Sequence, residues 1–257
     1  DRRADINMEN NRGDTPFYIA CDKGYLEIVK LLLNDQRVDI NEANHYHRTP
    51  FYIACSNGRT EIVKLLLNDH RFDINKTRDI DDWTPFYHAC RKGYIEIVKL
   101  LLNDQRIDVN KANECDQTPF FIACQNEYLE IVEYVIASGR EVNVNTKNNN
   151  GETAMNIARK RGNEEKGRWE SEEEFQKRKK KRSKIIELLE SFERNPIETR
   201  FKLRLKLELA GKIQFSFIFF FLFFSSISFF LFSFSKMFLL SRLCRCISIC
   251  IYCSHFR

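Results

Sequence analysis

The chain has 257 residues, with 41 Lys+Arg against 36 Asp+Glu and a net charge of +5. The excess is confined to its C-terminal part: residues 1–162 sum to −3, 163–212 to +4 and 213–257 to +4. The first 162 residues therefore lack the positive field on which phosphate binding depends, and nucleic acid is not an expected partner. No phosphate-cradling glycine loop, motif-framed nucleophile or isolated carboxylate pair stands out, so the reading is non-enzymatic, with no cofactor and no small-molecule substrate.

In chain order, Asp1-Arg2-Arg3-Ala4-Asp5-Ile6-Asn7 aligns with Asp35-Gln36-Arg37-Val38-Asp39-Ile40-Asn41. The chain thus begins inside a repeat, without an initiator Met or signal peptide. This predicts a fragment of a longer array that lacks its N-terminal capping unit and exposes apolar surface on its first helices. The repeat landmarks Thr15, Thr49, Thr84, Thr118 and Thr153 are spaced 34, 35, 34 and 35 apart, a period that signals stacked supersecondary units. Within a unit, Thr15 suits an N-cap and Pro16 the first helical position. Phe17 to Cys21 form a short apolar helix, which Gly24, Gly58 and Gly93 close in the left-handed region. A second helix runs from Leu26 to about Leu33, with Ile28, Val29, Leu31 and Leu32 inward and Glu27 and Lys30 outward.

These residues resemble the ankyrin repeat, whose Thr-Pro-Leu-His-x-Ala signature is written here as Thr-Pro-Phe-Tyr-Ile-Ala. Asp39-Ile40-Asn41, Asp73-Ile74-Asn75 and Asp108-Val109-Asn110 stand at the family's Asp-Val-Asn position. The resemblance covers residues 1–192. It implies an all-α repeat solenoid of about five stacked helix-turn-helix units with β-hairpin loops, near 8–41, 42–75, 76–110, 111–145 and 146–192, followed by a non-repeat tail. The family histidine is replaced by Tyr18, Tyr52, Tyr87 and Phe121, which leaves packing to hold that position. At the hairpin glycine the chain keeps Gly13 and Gly151 but has His47, Asp82 and Asp116, types that tolerate the left-handed region. Asn10, Asn44, Asp79, Asn113 and Asn148 can hydrogen-bond the turn backbone. Glu127 replaces the inter-helix glycine, at a cost of about 1 kcal/mol if left-handed, and the fourth unit is expected to be locally looser.

The fifth unit is split by about 19 extra residues, the charged insert near 164–184. Glu172/Gln176, Glu173/Lys177 and Glu174/Arg178 are i,i+4 pairs that can extend its second helix outward. The basic run 177–182 reads as a solvated helix or as a nuclear-import patch. Residues 193–212 read as a charged linker, and Phe201 to Leu209 alternates with strand periodicity. Residues 213–235 carry no charge, long enough for a membrane anchor and equally the product of a translated thymine-rich non-coding run. Residues 236–257 are a Cys-containing tail. Its Cys244, Cys246, Cys250, Cys253 and His255 fit no zinc-ligand spacing, and no metal is expected. Cys21, Cys55, Cys90 and Cys124 share one repeat position and are core residues. His45 and His47 read as turn residues, and His88 as a tolerated substitution for an apolar residue.

Function must then come from the surface. The family's hairpin tips and first helices bind other proteins, and the tip residues vary most between these units. The third hairpin is one residue longer and carries Ile80 and Trp83, an aromatic and aliphatic pair suited to an interface anchor unless Trp83 lies flat on the neighbouring hairpin. Tyr46, Arg48, Arg91 and Lys92 complete the candidate partner-binding patch. The expected function is a monomeric, cytoplasmic adaptor or scaffold with an unidentified protein partner. The alternatives are the cytosolic part of a protein anchored through 213–235 and the regulatory region of a larger enzyme.

Overall fold

The computed structural model describes residues 5–77, 81–162, 167 and 170–207. Each repeat starts from the same local event. Thr15, Thr49, Thr84 and Thr118 have extended backbone and accept on Oγ1 the N–H three residues on, with proline opening the helix. That bond satisfies an orphan donor of the first turn, and the proline has no donor to orphan. The elements are α1 (Pro16–Lys23), α2 (Leu26–Leu33), α3 (Pro50–Ser56), α4 (Thr60–Leu67), α5 (Pro85–Lys92), α6 (Ile95–Asn103), α7 (Pro119–Gln125), α8 (Leu129–Ala137), α9 (Ala154–Gly162), α10 (Glu172–Arg194) and α11 (Pro196–Lys206). The first helices α1, α3, α5, α7 and α9 pack in one layer and the second helices α2, α4, α6, α8 and α10 in another, each against its sequence neighbours. An all-α repeat solenoid results.

The core repeats as the sequence does. Phe17, Phe51, Phe86 and Phe120 are fully buried, as are Val29, Val63, Val98 and Val132. Cys21, Cys55, Cys90 and Cys124 are buried free thiols. Burial pushes all four well above the ordinary cysteine range, so they stay protonated and act as small apolar side chains.

The turns between units use the expected residues. His47, Asp82 and Asp116 have φ of 58°, 52° and 55°, beside Gly13 and Gly151 at 75° and 74°. Asn44 Oδ1 accepts the N–H groups of Tyr46 and Arg48 at 3.0 and 3.1 Å, and Asn10, Asn113 and Asn148 make the same pair of bonds in their own turns. Asp79 lies outside the described residues.

Two bonding patterns tie successive units together. Each Asp-x-Asn asparagine donates from Nδ2 to a carbonyl of the next unit and accepts an N–H from the same loop. Asn41 bonds Arg71 O and Asp73 N–H, Asn75 bonds Arg106 O and Asp108 N–H, and Asn110 bonds Glu141 O and Asn143 N–H. In the opposite direction, Arg71, Arg106 and Arg140 donate to Leu33 O, Leu67 O and Asp104 O at the end of the preceding second helix. Such donors satisfy carbonyls that a helix C-terminus leaves open.

Arg37, Arg71 and Arg106 each pair with an aspartate two residues earlier. Arg37 side-chain and backbone N–H groups hold the Asp35 carboxyl down to about 2, and Asp69 and Asp104 are lowered by Arg71 and Arg106 in the same way. A carboxylate with a depressed folded-state pKa stabilises fully above the unfolded value, about 4, and loses that contribution as pH falls through the folded value. The thermal midpoint is therefore expected to be flat above pH 5 and to fall between about pH 4 and 2. The Asp35 carboxyl resonance should titrate near the bottom of that window in the wild type and closer to 4 in Arg37→Ala.

Four sequence expectations meet the structure here. In α2 only Val29 is buried, whereas Ile28 and Leu31 are 46% and 73% exposed together with Tyr25. Among the described residues no second helix covers that side, while α4 and α6, flanked on both sides, bury three and four residues each. The insert does extend the fifth unit's second helix: α10 starts at the capping box Ser171/Glu174 and runs unbroken through 177–182. The strand periodicity of Phe201 to Leu209 is corrected over its described part, and residues 193–207 hold the end of α10 and the whole of α11. Asn195 caps α11 through the Glu198 N–H, Pro196 opens it, and Thr199 and Leu203 are buried. The remainder of 193–212, and residues 213–257, lie outside the described residues.

The fourth expectation concerns Glu127. It takes the left-handed conformation, φ 61°, and its side chain is engaged across the fold. Its carboxylate accepts Arg182 Nε from α10 at 2.6 Å, with the two side chains only 12% and 3% exposed. Arg182 also donates to Arg161 O. A departure from the repeat pattern thus carries an ion pair that binds the insert to the array.

Candidate functional site

Threonine caps place the side chains of the tyrosine position at the boundary with the next unit. There the tyrosine hydroxyl meets the residue that precedes the next threonine. Tyr87 Oη donates to Gln117 Oε1 at 3.1 Å and accepts Asn113 Nδ2 at 3.1 Å, while Tyr18 faces the Arg48 guanidinium. Burial raises both hydroxyls well above the ordinary tyrosine range, offset by Arg48 at Tyr18 and Arg91 at Tyr87. Both remain protonated donors at neutral pH.

In the third unit the residue before the threonine is Trp83, and the pattern changes. Tyr52 Oη instead meets His88 Nδ1 at 3.4 Å, with the rings 5.6 Å apart. Trp83 lies half-buried on its own helix α5, its ring 5.9 Å from Tyr87 and 5.5 Å from His88. Arg91 covers the indole, with Cζ 4.5 Å from the ring centroid, a separation at which a cation–π contact is favourable. Trp83 thus packs on α5. His88, taken from sequence as a tolerated substitution, belongs to this cluster. The signal that could have found it is the coincidence of two departures, Trp83 and His88, in one unit.

The remaining candidates have differing engagement. Tyr46 is 47% exposed on the second tip, and Arg48 Cζ lies 5.6 Å from its ring centroid. Lys92 is exposed on the last turn of α5. Ile80 lies outside the described residues. The tip also carries Asp81 and the exposed Asp82, which accepts Thr77 Oγ1 at 3.3 Å. The candidate residues are aromatic and amphoteric, with three cations and, on the third tip, two carboxylates.

Elsewhere, a cleft of about 720 Å³ opens between the fourth unit's inter-helix loop and the start of α10, lined by Glu127, Tyr128, Glu174, Lys177 and Lys181 among others. Among the described residues no group of three or more His, Cys, Asp or Glu side chains is arranged to hold a metal ion. No helix among them is long and apolar enough to cross a membrane.

Comparison with protein families matches a model described as "Ankyrin repeats (3 copies)" over residues 2–78, 40–113, 70–147 and 107–169. A comparison with curated proteins finds no match. Ankyrin repeats are generally protein–protein interaction modules, and the family is typically non-catalytic. The Thr-Pro caps, the left-handed turns and the paired helices of each unit recur across the matched residues, and the chain belongs to the ankyrin repeat family.

Proposed function

We propose that this array is a non-catalytic adaptor or scaffold that binds a partner protein through its hairpin tips and first helices, in the cytoplasm. The observation that carries the reading is the Trp83–Arg91 stack. A half-buried indole covered by a guanidinium, with Tyr46 exposed on the second tip and Lys92 exposed on α5, presents the residue types that dominate interface energetics. Framework positions are committed elsewhere: the threonines to caps, the phenylalanines to the core and the asparagines to the neighbouring unit, which leaves the tips and the outer turns of α3 and α5 for a ligand.

The test is affinity capture on the full chain, followed by mass spectrometry and titration of the captured partner. Trp83→Ala is expected to weaken that partner about tenfold, or about 1.4 kcal/mol. Its helical circular dichroism should be unchanged, because the ring covers α5 without entering the core. Unchanged affinity would remove Trp83 from the interface.

The uncharged stretch 213–235 favours a second reading, the cytosolic array of a membrane-anchored protein. Carbonate extraction of expressing cells separates the two, since an anchored chain stays in the pellet. A nuclear-import role for 177–182 would require α10 to open, because Arg182 is buried against Glu127 and Arg178 pairs with Glu170.

A further inference from the structure

The second helices of the first three units are almost one sequence: LEIVKLLL, TEIVKLLL and IEIVKLLLN. A helix that docks by burying an apolar residue such as Leu203 could therefore settle on several of them. In the structure α11 lies on α8 and α10, and α8 is the second helix that departs from the others. Where units 1 to 3 carry Lys30, Lys64 and Lys99, unit 4 carries Glu133, which is buried and accepts Lys206 Nζ of α11 at 2.5 Å. Lys206 would meet a like charge on each of the other units.

A second, independent departure acts by shape. Gly139, φ 79°, stands just beyond α8 where the other loops have Gln36, His70 and Gln105. A Cβ at Gly139 would displace the flexible end of the Arg204 guanidinium of α11, and the left-handed φ strains any other residue there whatever the space. The open position lets Arg204 Nε donate to Ala137 O at 2.8 Å, at the end of α8. This is the bond that Arg71, Arg106 and Arg140 make to the helix before their own unit. α11 thereby supplies to α8 the carbonyl cap that a following repeat loop would supply, although it has no repeat sequence of its own.

We propose that Glu133 and Gly139 form an address, one by charge and one by space, that fixes α11 as the closing cap of unit 4 and bars it from units 1 to 3 and from the same units of a second copy. In arrays of near-identical units such a device prevents register slippage, which the apolar pattern alone leaves open.

The test transplants the residues of the other units into the full chain and reads amide hydrogen exchange segment by segment. Glu133→Lys and Gly139→Gln are each expected to speed exchange of residues 196–206 about tenfold, a local opening, with α1 to α4 unchanged as the control for folding. Adding Lys206→Glu to Glu133→Lys should bring exchange of 196–206 back to within about threefold of wild type, while adding it to Gly139→Gln should not. Protection of α11 that survives both single variants would overturn the proposal, as would a charge-swapped double variant no better than Glu133→Lys alone.

Discussion

Replacing Glu127 with glycine, the residue its sister positions hold, is expected to destabilise the array by about 2–4 kcal/mol. Pattern alone argues the reverse. Gly24, Gly58 and Gly93 sit at φ 86°, 71° and 78°, and a glutamate at 61° is strained by comparison, so glycine should recover about 1 kcal/mol. That gain is outweighed by what the carboxylate holds. Arg182 is almost wholly buried, and breaking a buried ion pair by removing one partner typically costs about 3–5 kcal/mol. Arg182→Met should be costly as well, since it strands the Glu127 carboxylate. The double variant Glu127→Gly/Arg182→Met removes both charges, restores the favoured backbone residue and should return close to wild-type stability. Equilibrium urea denaturation of the four proteins checks this. A glycine variant at least as stable as wild type would mean that the ion pair contributes nothing net.

The case also marks where a sequence stops being informative. The left-handed conformation of Glu127 follows from its place in the repeat, because backbone dihedrals at a helix–helix turn are set by neighbours a few residues away. Its partner lies 55 residues on, inside an insert without a repeat counterpart, and nothing local links them. The same division runs through the fold. Thr15, Pro16, Gly24, His47 and Asn44 are legible because each satisfies or frees a specific backbone group within one turn.

α11 is illegible for the opposite reason. Its alternation of Phe201, Leu203 and Leu205 with Lys202, Arg204 and Lys206 has the period of a strand, and a helix with that pattern cannot bury all its apolar residues. Leu203 is buried and Leu205 is 49% exposed. The helix forms because Asn195 and Pro196 start it and because Arg204 and Lys206 find acceptors on α8, a tertiary gain that overrides pattern. At the candidate interface Trp83 stands out in the sequence as an unusual residue on a longer loop. Its posture on α5 does not, since that depends on His88 and Arg91 one and two turns along the helix.

Asn75→Ala is expected to cost about 2 kcal/mol and, more tellingly, to divide the array. The asparagine makes two bonds to the next unit, from Nδ2 to Arg106 O at 2.7 Å and from Asp108 N–H to Oδ1 at 2.9 Å. Alanine removes both and leaves a carbonyl and an amide that only partial solvent access can satisfy. Each bond of this kind is worth about 1 kcal/mol net. Repeat units are stabilised largely by their interfaces, so weakening one interior boundary uncouples the units on either side of it. Hydrogen exchange under mild denaturant should then show units 1 and 2 and units 3 to 5 opening at different free energies, where the wild type opens them together. Asn7→Ala, which removes the equivalent pair of bonds at the first boundary, to Arg37 O and from Asp39 N–H, should loosen only the residues before α1. If Asn75→Ala instead lowers all protection equally, the interface carries less of the stability than the asparagine ladder implies, and cohesion between units must reside in the apolar layer alone.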